Sequence, residues 1–490
     1  MDGLAAWRRA ERGVDRFFGA TANPLRQPGT LAILALALLV GSGLWLYAVL
    51  DTSADRAYAS IDALAPYSPG GLLRSLHRYA ADALVLFTTL HVLRELLHRR
   101  WRAVHRFAWL TGVVLLPLLA AIGIGGFWLH WDRLGQFSAL ATAEWFDALP
   151  ALAQPLARNF LDAASVGDRL FSLFVFMHLG LPLLLLFALW FHVQRLSQVA
   201  WWPPRSLALG TTGSLLALAL AWPVRGQGPA ELATVPASLA LDWWLLWLHP
   251  VADALSPAAA WALVGAGLAV LFTLPWLLRG PARAPAAVVD PAHCNGCRRC
   301  VADCPYAAIT LVPHPLRPSR MLAQVDADLC ASCGLCAGAC PSSVPRRGGA
   351  PIATGIDLPQ RPIAALQHAL RALLDRPPGL VVFACDHAAV PAGADVLTLE
   401  CSGQLPPSFV DQALREGAGG VAIVHCRDCV WRLGVRWTAE RLAGQRPPRL
   451  ASRVPRERLC LVPADTGEDA QAAAAIAAFK EKLLQIKAPT

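Results

Sequence analysis

The chain has 490 residues, is 55% hydrophobic and carries a formal net charge of +9. A mean hydropathy of +0.43 is too high for an ordinary soluble domain, and 13 cysteines confined between Cys294 and Cys460 exclude a secreted disulfide scaffold and point to metal ligands in a reducing compartment. The arginines flank long apolar runs instead of forming a basic face, so the charge reflects membrane topology and excludes nucleic acid as the partner.

The N-terminal stretch MDGLAAWRRAERGVDRFFGA lacks the early apolar core of a cleavable signal and is predicted to form an interfacial amphipathic helix. Six transmembrane helices are predicted at about 30–50, 72–97, 107–130, 169–194, 206–223 and 258–278. Each has close to the ~20 apolar residues a bilayer demands, the fifth being the shortest. Arg8, Arg9, Arg12, Arg16, Arg26, Arg94, Arg99, Arg100, Arg102, Arg106, Arg195, Arg205, Arg279 and Arg283 all fall on one side of these helices. The opposite loops hold Asp51, Asp55, Asp62, Asp132, Glu144, Asp147 and Asp162. The positive-inside rule then places both termini, and everything after residue 280, in the cytoplasm of a bacterial or archaeal type of cell, with residues 1–280 spanning its inner membrane in contact with lipid.

Two histidine pairs stand out in the apolar half. His77 and His91 are 14 residues apart, and so are His178 and His192. Fourteen residues are nearly a whole number of helical turns, so each pair shares one face, separated by ~21 Å along the axis. Two such helices side by side present four imidazoles at two heights. His77 and His178 fall near the outer face and would hold one haem b; His91 and His192 fall near the inner face and would hold a second. Bis-histidine ligation leaves no open iron position and favours electron transfer over oxygen chemistry. A lone membrane histidine is as readily an interhelical hydrogen bond; four at matched spacing are not. Gly29 and Gly43, and Gly112 and Gly126, repeat the spacing of 14 and would let a backbone approach a flat macrocycle.

Residues 281–288, PARAPAAV, read as a linker. Residues 289–345 contain Cys294-x2-Cys297-x2-Cys300-x3-Cys304-Pro305, repeated as Cys330-x2-Cys333-x2-Cys336-x3-Cys340-Pro341. This is the bacterial two-cluster ferredoxin pattern, in which the fourth cysteine of each run serves the other cluster. Cys294, Cys297, Cys300 and Cys340 are therefore expected to bind one [4Fe-4S] cluster, and Cys330, Cys333, Cys336 and Cys304 a second. Zinc sites show paired CxxC motifs instead. Residues 346–377 read as a linker with one short helix. From 378 to 488, strand-like LVVFAC, VLTLEC, GVAIVHC and LCLVPA alternate with helix-like runs, the mark of a small α/β domain with a mostly parallel sheet. Cys385, Cys401 and Cys426 each end a predicted strand, and Cys429 follows in HCRDC. Strand C-termini gather at one sheet edge, where these four would hold a [2Fe-2S] cluster. Cys460 lies within a strand and reads as a buried small hydrophobe.

Two further resemblances rest on particular residues. GLLRSLHRYAAD, HVLRELL and HLGLP resemble the histidine motifs of the cytochrome b family of quinol-oxidising complexes. That resemblance implies that Arg74 and Arg94 pair with haem propionates and leaves room for a homodimer through this part. In that family a Pro-Glu-Trp-Tyr motif lines the outer quinol site. The matching stretch here, LALDWWLLWLHP, puts Asp242 where the glutamate stands, with Trp243 and Trp244 beside a quinone. An aromatic belt at the interface is the plainer reading of the tryptophans. CSGQLPPSFVDQALREGAGGVAIVHC and Cys426–Cys429 resemble the delta subunit of methyl-viologen-reducing hydrogenase, which links hydrogenase to heterodisulfide reductase. That family often has a second cysteine just after the first, and Ala388 stands at that place.

The expected architecture is a multi-domain membrane protein: an all-α cytochrome b-like bundle of about six helices, a small α+β two-cluster ferredoxin domain and a small α/β domain. The expected role is the electron-transfer subunit of a quinone-linked oxidoreductase complex, serving a cytoplasmic redox subunit such as a flavoprotein or a heterodisulfide reductase-like protein. A membrane redox sensor or adaptor, and a conduit to an outer-face carrier protein, are the competing classes. No output domain or c-type haem motif favours either.

Overall fold

Apolar runs of some twenty residues satisfy their backbone groups most cheaply as helices, and the predicted runs become helices in the computed structural model. It describes residues 3–149, 155–160, 166–234, 236–278, 284–345, 352–376, 379–390 and 395–487. The chain divides into one unit of Met1–Gln194 with Val199–Gly280 and another of Arg195–Gln198 with Pro281–Thr490. Asp162, Arg279 and Arg283, used above to assign sidedness, lie outside the described residues.

The first unit contains α1 (Gly3–Phe18), α2 (Pro28–Val49), α3 (Ala57–Asp62), α4 (Pro69–Leu97), α5 (Arg106–His130), α6 (Arg133–Asp147), α7 (Asp168–Val193), α8 (Arg205–Ala221), α9 (Leu248–Leu255) and α10 (Pro257–Leu277). Helix α4 starts where Pro69 takes the first helical position and Ser68 accepts from the Gly71 N–H (3.1 Å). Among the described residues four helices, α2, α5, α7 and α10, are long and apolar enough to cross a membrane. The six expected spans thus divide by composition: α4 has 29 residues but carries Arg74, Arg78, Asp82, Arg94 and Glu95, and α8 has only 17 residues. Helix α2 packs on α4, and α5 on α7. Phe176, Leu183 and Phe187 on α7 are 72%, 69% and 62% exposed, an outward apolar face suited to lipid and not to water.

The second unit begins with β1 (Val288–Val289), α11 (Arg299–Asp303), β2 (Ile309–Pro313), β3 (Met321–Val325), α12 (Leu335–Ala339) and β4 (Ile356–Asp357). Strands β1 and β4 pair antiparallel, as do β2 and β3. There follow α13 (Ile363–Leu374), β5 (Val381–Cys385), β6 (Val396–Leu399), α14 (Pro407–Arg415), β7 (Val421–His425), α15 (Gly434–Leu442), β8 (Leu459–Pro463) and α16 (Asp469–Lys487). The last four strands form a parallel sheet in the order β6-β5-β7-β8. Alternate residues of β5 feed two cores. Val381 and Phe383 pack with Ile363, Leu366 and Leu370 of α13 and Phe409 of α14; Val382 and Ala384 pack with Trp437 of α15 and Ile476 and Phe479 of α16. A parallel sheet needs this cover on both faces. Helix α13, read from sequence as part of a linker, is instead a layer of the α/β domain, and β4 belongs to the ferredoxin-like part.

Candidate redox centres

Each of the histidines His77, His91, His178 and His192 lies close against a glycine. A Cβ added at Gly43 would stand 3.0 Å from Cε1 of His77, at Gly29 3.3 Å from His91, at Gly126 3.1 Å from His178, and at Gly112 3.0 Å from His192. The glycines of α2 and α5 therefore meet the histidines of α4 and α7. In three of the four, Nδ1 has a defined partner. His178 Nδ1 hydrogen-bonds the Ile122 carbonyl (3.1 Å). His77 Nδ1 meets Ser42 Oγ (2.9 Å), and His192 Nδ1 meets Thr111 Oγ1 (3.1 Å). Both hydroxyls donate onward to their own helix, Ser42 to Leu38 (2.6 Å) and Thr111 to Phe107 (2.8 Å). Their oxygens are thus left to accept. His77 and His192 also bond the backbones of Leu39 and Ala108. Leu39, Ala108 and Ile122 each stand four residues before the facing glycine. A carbonyl can only accept, so these contacts put the proton on Nδ1 and leave the Nε2 lone pair available to a metal. His77 is within electrostatic reach of His178, and His192 of His91. The donors, the tautomer and the glycine cradles fit haem b at two levels.

Arg74 and Arg94 are both buried. Arg74 bonds His130 Nε2 (3.1 Å) and the Ile61 carbonyl (3.4 Å); His130 stacks on Tyr58 and faces Asp132 (3.4 Å). Arg94 pairs with Glu11 of α1 (3.2 Å), itself 2% exposed. Sequence reasoning missed His130 and Glu11; the only signal was a charge in an otherwise apolar or amphipathic context. Asp242 has a 6% exposed side chain, ion-pairs with Arg78 and accepts from the Trp244 and Leu245 N–H groups (both 3.0 Å). Arg78 also holds Asp82 (2.6 Å) and lies over the Phe127 ring. Trp243 and Trp244 are 67% and 53% exposed.

In the second unit the ferredoxin cysteines surround two cavities. One is lined by Cys294, Cys297, Cys300 and Cys340; the other by Cys304, Cys330, Cys333 and Cys336. The fourth cysteine of each run is thus exchanged between cavities. Burial, with the neighbouring thiols Cys297, Cys294 and Cys340, pushes the Cys300 thiol up to about 12, and burial likewise raises Cys304, Cys333 and Cys336. Such thiols ionise by exchanging protons for metal. Among the described residues no group of three or more metal-binding side chains is arranged for a single ion, whereas the two cavities give each set of four thiols a shared space fitting a polynuclear cluster.

The α/β domain brings together four more. Cys385 hydrogen-bonds Cys401 and Cys426, and Cys429 bonds the same two, closing a ring. Those bonds hold the Cys385 and Cys429 thiols low and drive Cys401 and Cys426 high. Cys385 ends β5, Cys426 follows β7, and Cys401 lies two residues past β6. Gly434, at the start of α15, faces Cys401 and Cys429 so closely that a Cβ would collide with the Cys401 thiol. Ala388, at 3% exposure, offers no thiol. Cys460 on β8 stands apart from the ring, half-buried. Electrostatic contact links Cys336 to Cys300, and Cys333 to Cys429, so the cavity of Cys330, Cys333 and Cys336 lies between the other two centres. Buried Asp303, one residue before Cys304, pairs with Arg441 of α15 and with Arg446 (2.5 Å), while Trp437 donates to its carbonyl (3.2 Å).

A histidine-bearing helical bundle and cysteine-lined cavities define a membrane electron-transfer protein. Its parts are specific: residues 20–200 match the cytochrome b/b6/petB family, residues 293–344 the 4Fe-4S dicluster domain, and residues 378–487 the methyl-viologen-reducing hydrogenase delta subunit. The chain is a multi-pass membrane protein whose segments are similar, in that order, to cytochrome b, the 4Fe-4S dicluster domain and the hydrogenase delta subunit. Among solved structures, a chain described as "Hyperthermophilic respiratory Complex III" is 19% identical, with a TM-score of 0.40, covering 52% of this chain and 75% of that one.

Proposed function

We propose that this protein carries electrons between the quinone pool and a cytoplasmic redox subunit through two haems b, two [4Fe-4S] clusters and a [2Fe-2S] cluster. The observation that carries the reading is the fourfold histidine–glycine contact at two levels of one bundle. His77 and His178 would hold the outer haem, and His91 and His192 the inner one; these groups supply one-electron chemistry when bound. The protein's residues fix His77, His178 and His192 through Nδ1. Arg74 and Arg94, buried near the histidine levels, supply positive charge for haem propionates. Cys294, Cys297, Cys300 and Cys340 would hold the first [4Fe-4S] cluster, Cys304, Cys330, Cys333 and Cys336 the second, and Cys385, Cys401, Cys426 and Cys429 the [2Fe-2S] cluster. The positive-inside pattern sets the iron–sulfur domains in the cytoplasm, where a flavoprotein or heterodisulfide reductase-like subunit would exchange electrons with them.

Purified protein should contain two haems b per chain, with His91→Ala or His192→Ala removing the inner haem and sparing the outer. One haem per parent chain would overturn the two-level reading. The quinone part rests on Asp242 between Arg78 and the exposed Trp243 and Trp244. Asp242→Asn should slow quinol-driven reduction of the outer haem by about 10- to 100-fold, the lower range for lost general acid–base help, with haem spectra unchanged. An unaltered rate would leave Asp242 as the ion-pair partner of Arg78 that caps the turn at Trp244 and Leu245, and move the quinone site elsewhere.

A further inference from the structure

Two turns at the edge of the parallel sheet share one construction. In Cys385–Ala388 the Ala388 N–H donates to the Cys385 carbonyl, and in Cys429–Arg432 the Arg432 N–H donates to the Cys429 carbonyl, both at 2.9 Å. The third residue of each turn, His387 in one and Trp431 in the other, directs its backbone N–H to the thiol of the cysteine that opens the turn. Their side chains then meet edge to face, with ring centroids 5.4 Å apart and planes at 72°. The His387 turn is held from outside: Ala388 bridges to Asp465, Ala389 N–H donates to the Ala464 carbonyl (3.2 Å) and Thr466 Oγ1 to the His387 carbonyl (3.3 Å).

His387 Nε2 and Trp431 Nε1 are shielded from solvent, and neither has a hydrogen-bond partner among the described residues. An orphaned buried polar group costs about 1–3 kcal/mol. Two of them in contact, each on the residue that already caps a ring thiol, call for an acceptor that the polypeptide does not supply. Sulfur is the acceptor chemistry at hand.

We propose that His387 and Trp431 cap the third centre and donate ring N–H groups to the sulfurs of the cluster bound there. This rests on the reading of Cys385, Cys401, Cys426 and Cys429 as [2Fe-2S] ligands. Such hydrogen bonds offset the added negative charge of the reduced cluster and raise its potential. The cap would set the potential of this centre above that of the same cluster without the two donors.

The test uses the full-length protein with His387→Phe, His387→Gln and Trp431→Phe. Iron and acid-labile sulfide are measured beside redox titrations followed by electron paramagnetic resonance. The expected result is an intact [2Fe-2S] signal whose oxidised-to-reduced ratio at fixed poise rises about tenfold in His387→Phe and in Trp431→Phe, equivalent to about 59 mV for a one-electron couple. His387→Gln, which keeps an N–H donor, should shift less. Trp431→Phe decides the matter should His387→Phe lose the centre. An unmoved potential in variants that retain the cluster overturns the cap alone. A parent protein without a [2Fe-2S] signal overturns the ligand reading and the cap together.

Discussion

The membrane unit and the iron–sulfur unit build their centres by opposite routes. In the first, each proposed centre comes from one repeated local rule: a histidine on one helix, a glycine on the helix it faces, both at a period of 14 residues. Space there is made by omitting a side chain. In the second, thiols distant in sequence converge because strand ends and crossed loops meet, as Cys304 does with Cys330 and Cys385 does with Cys426. There the cofactor ligands depend on how the chain is folded back, and buried polar contacts hold that folding in place. Damage should accordingly be level-specific in the bundle and topological in the iron–sulfur unit.

The largest expected effect is in the bundle. Gly43→Val should abolish the outer haem, seen as loss of one b-type band in reduced-minus-oxidised spectra, because its Cβ would begin 3.0 Å from His77. Gly112→Val should do the same to the inner haem alone. Gly213→Val on α8, where a Cβ meets nothing within 4 Å, should spare both. Loss of both haems in either cradle variant would show that the levels are not independent.

Cys304→Ala should remove the cluster of Cys330, Cys333 and Cys336 and leave that of Cys294, Cys297 and Cys300, a loss of one of two [4Fe-4S] signals by electron paramagnetic resonance. The reverse pattern would break the topological half of the comparison.

Asp303→Ala leaves Arg441, 1% exposed, without its carboxylate. Breaking such a buried pair costs about 3–5 kcal/mol, which should appear as earlier thermal loss of iron–sulfur absorbance with the haem spectrum unchanged. Equal thermal profiles would show that the ion pair does not fasten α15 to the Cys304 loop.

The smallest effect is electrostatic. Burial raises the Asp357 carboxyl to about 6, against backbone bonds from Ile363 and Leu358 that lower it. The folded state therefore keeps its proton to a higher pH than the unfolded chain. Its contribution is complete below about pH 4 and is lost as pH rises through 6. Asp357→Asn should flatten the stability profile of the iron–sulfur unit across that window, by on the order of 1–2 kcal/mol after allowing for solvent screening. A profile that keeps its slope would place the titration elsewhere.

Periodicity and spacing were enough to foresee what local geometry dictates. Fourteen residues return a helix to the same face, so His77 with His91 and His178 with His192 were legible in sequence, as were their glycines; the cysteine runs likewise carry their crossed pairing in their spacing. The parallel sheet followed from alternating apolar runs, down to the strands that end at Cys385 and near Cys426. The tertiary structure alone decided the rest. It placed Nδ1 of His77, His192 and His178 against Leu39, Ala108 and Ile122, buried Glu11 on Arg94, drew α13 into the sheet's core, set Gly434 against Cys401, and brought His387 onto Trp431. These contacts join residues whose separation along the chain bears no fixed relation to their separation in space, and only the packing of helices on helices and on a sheet brings them within hydrogen-bond range.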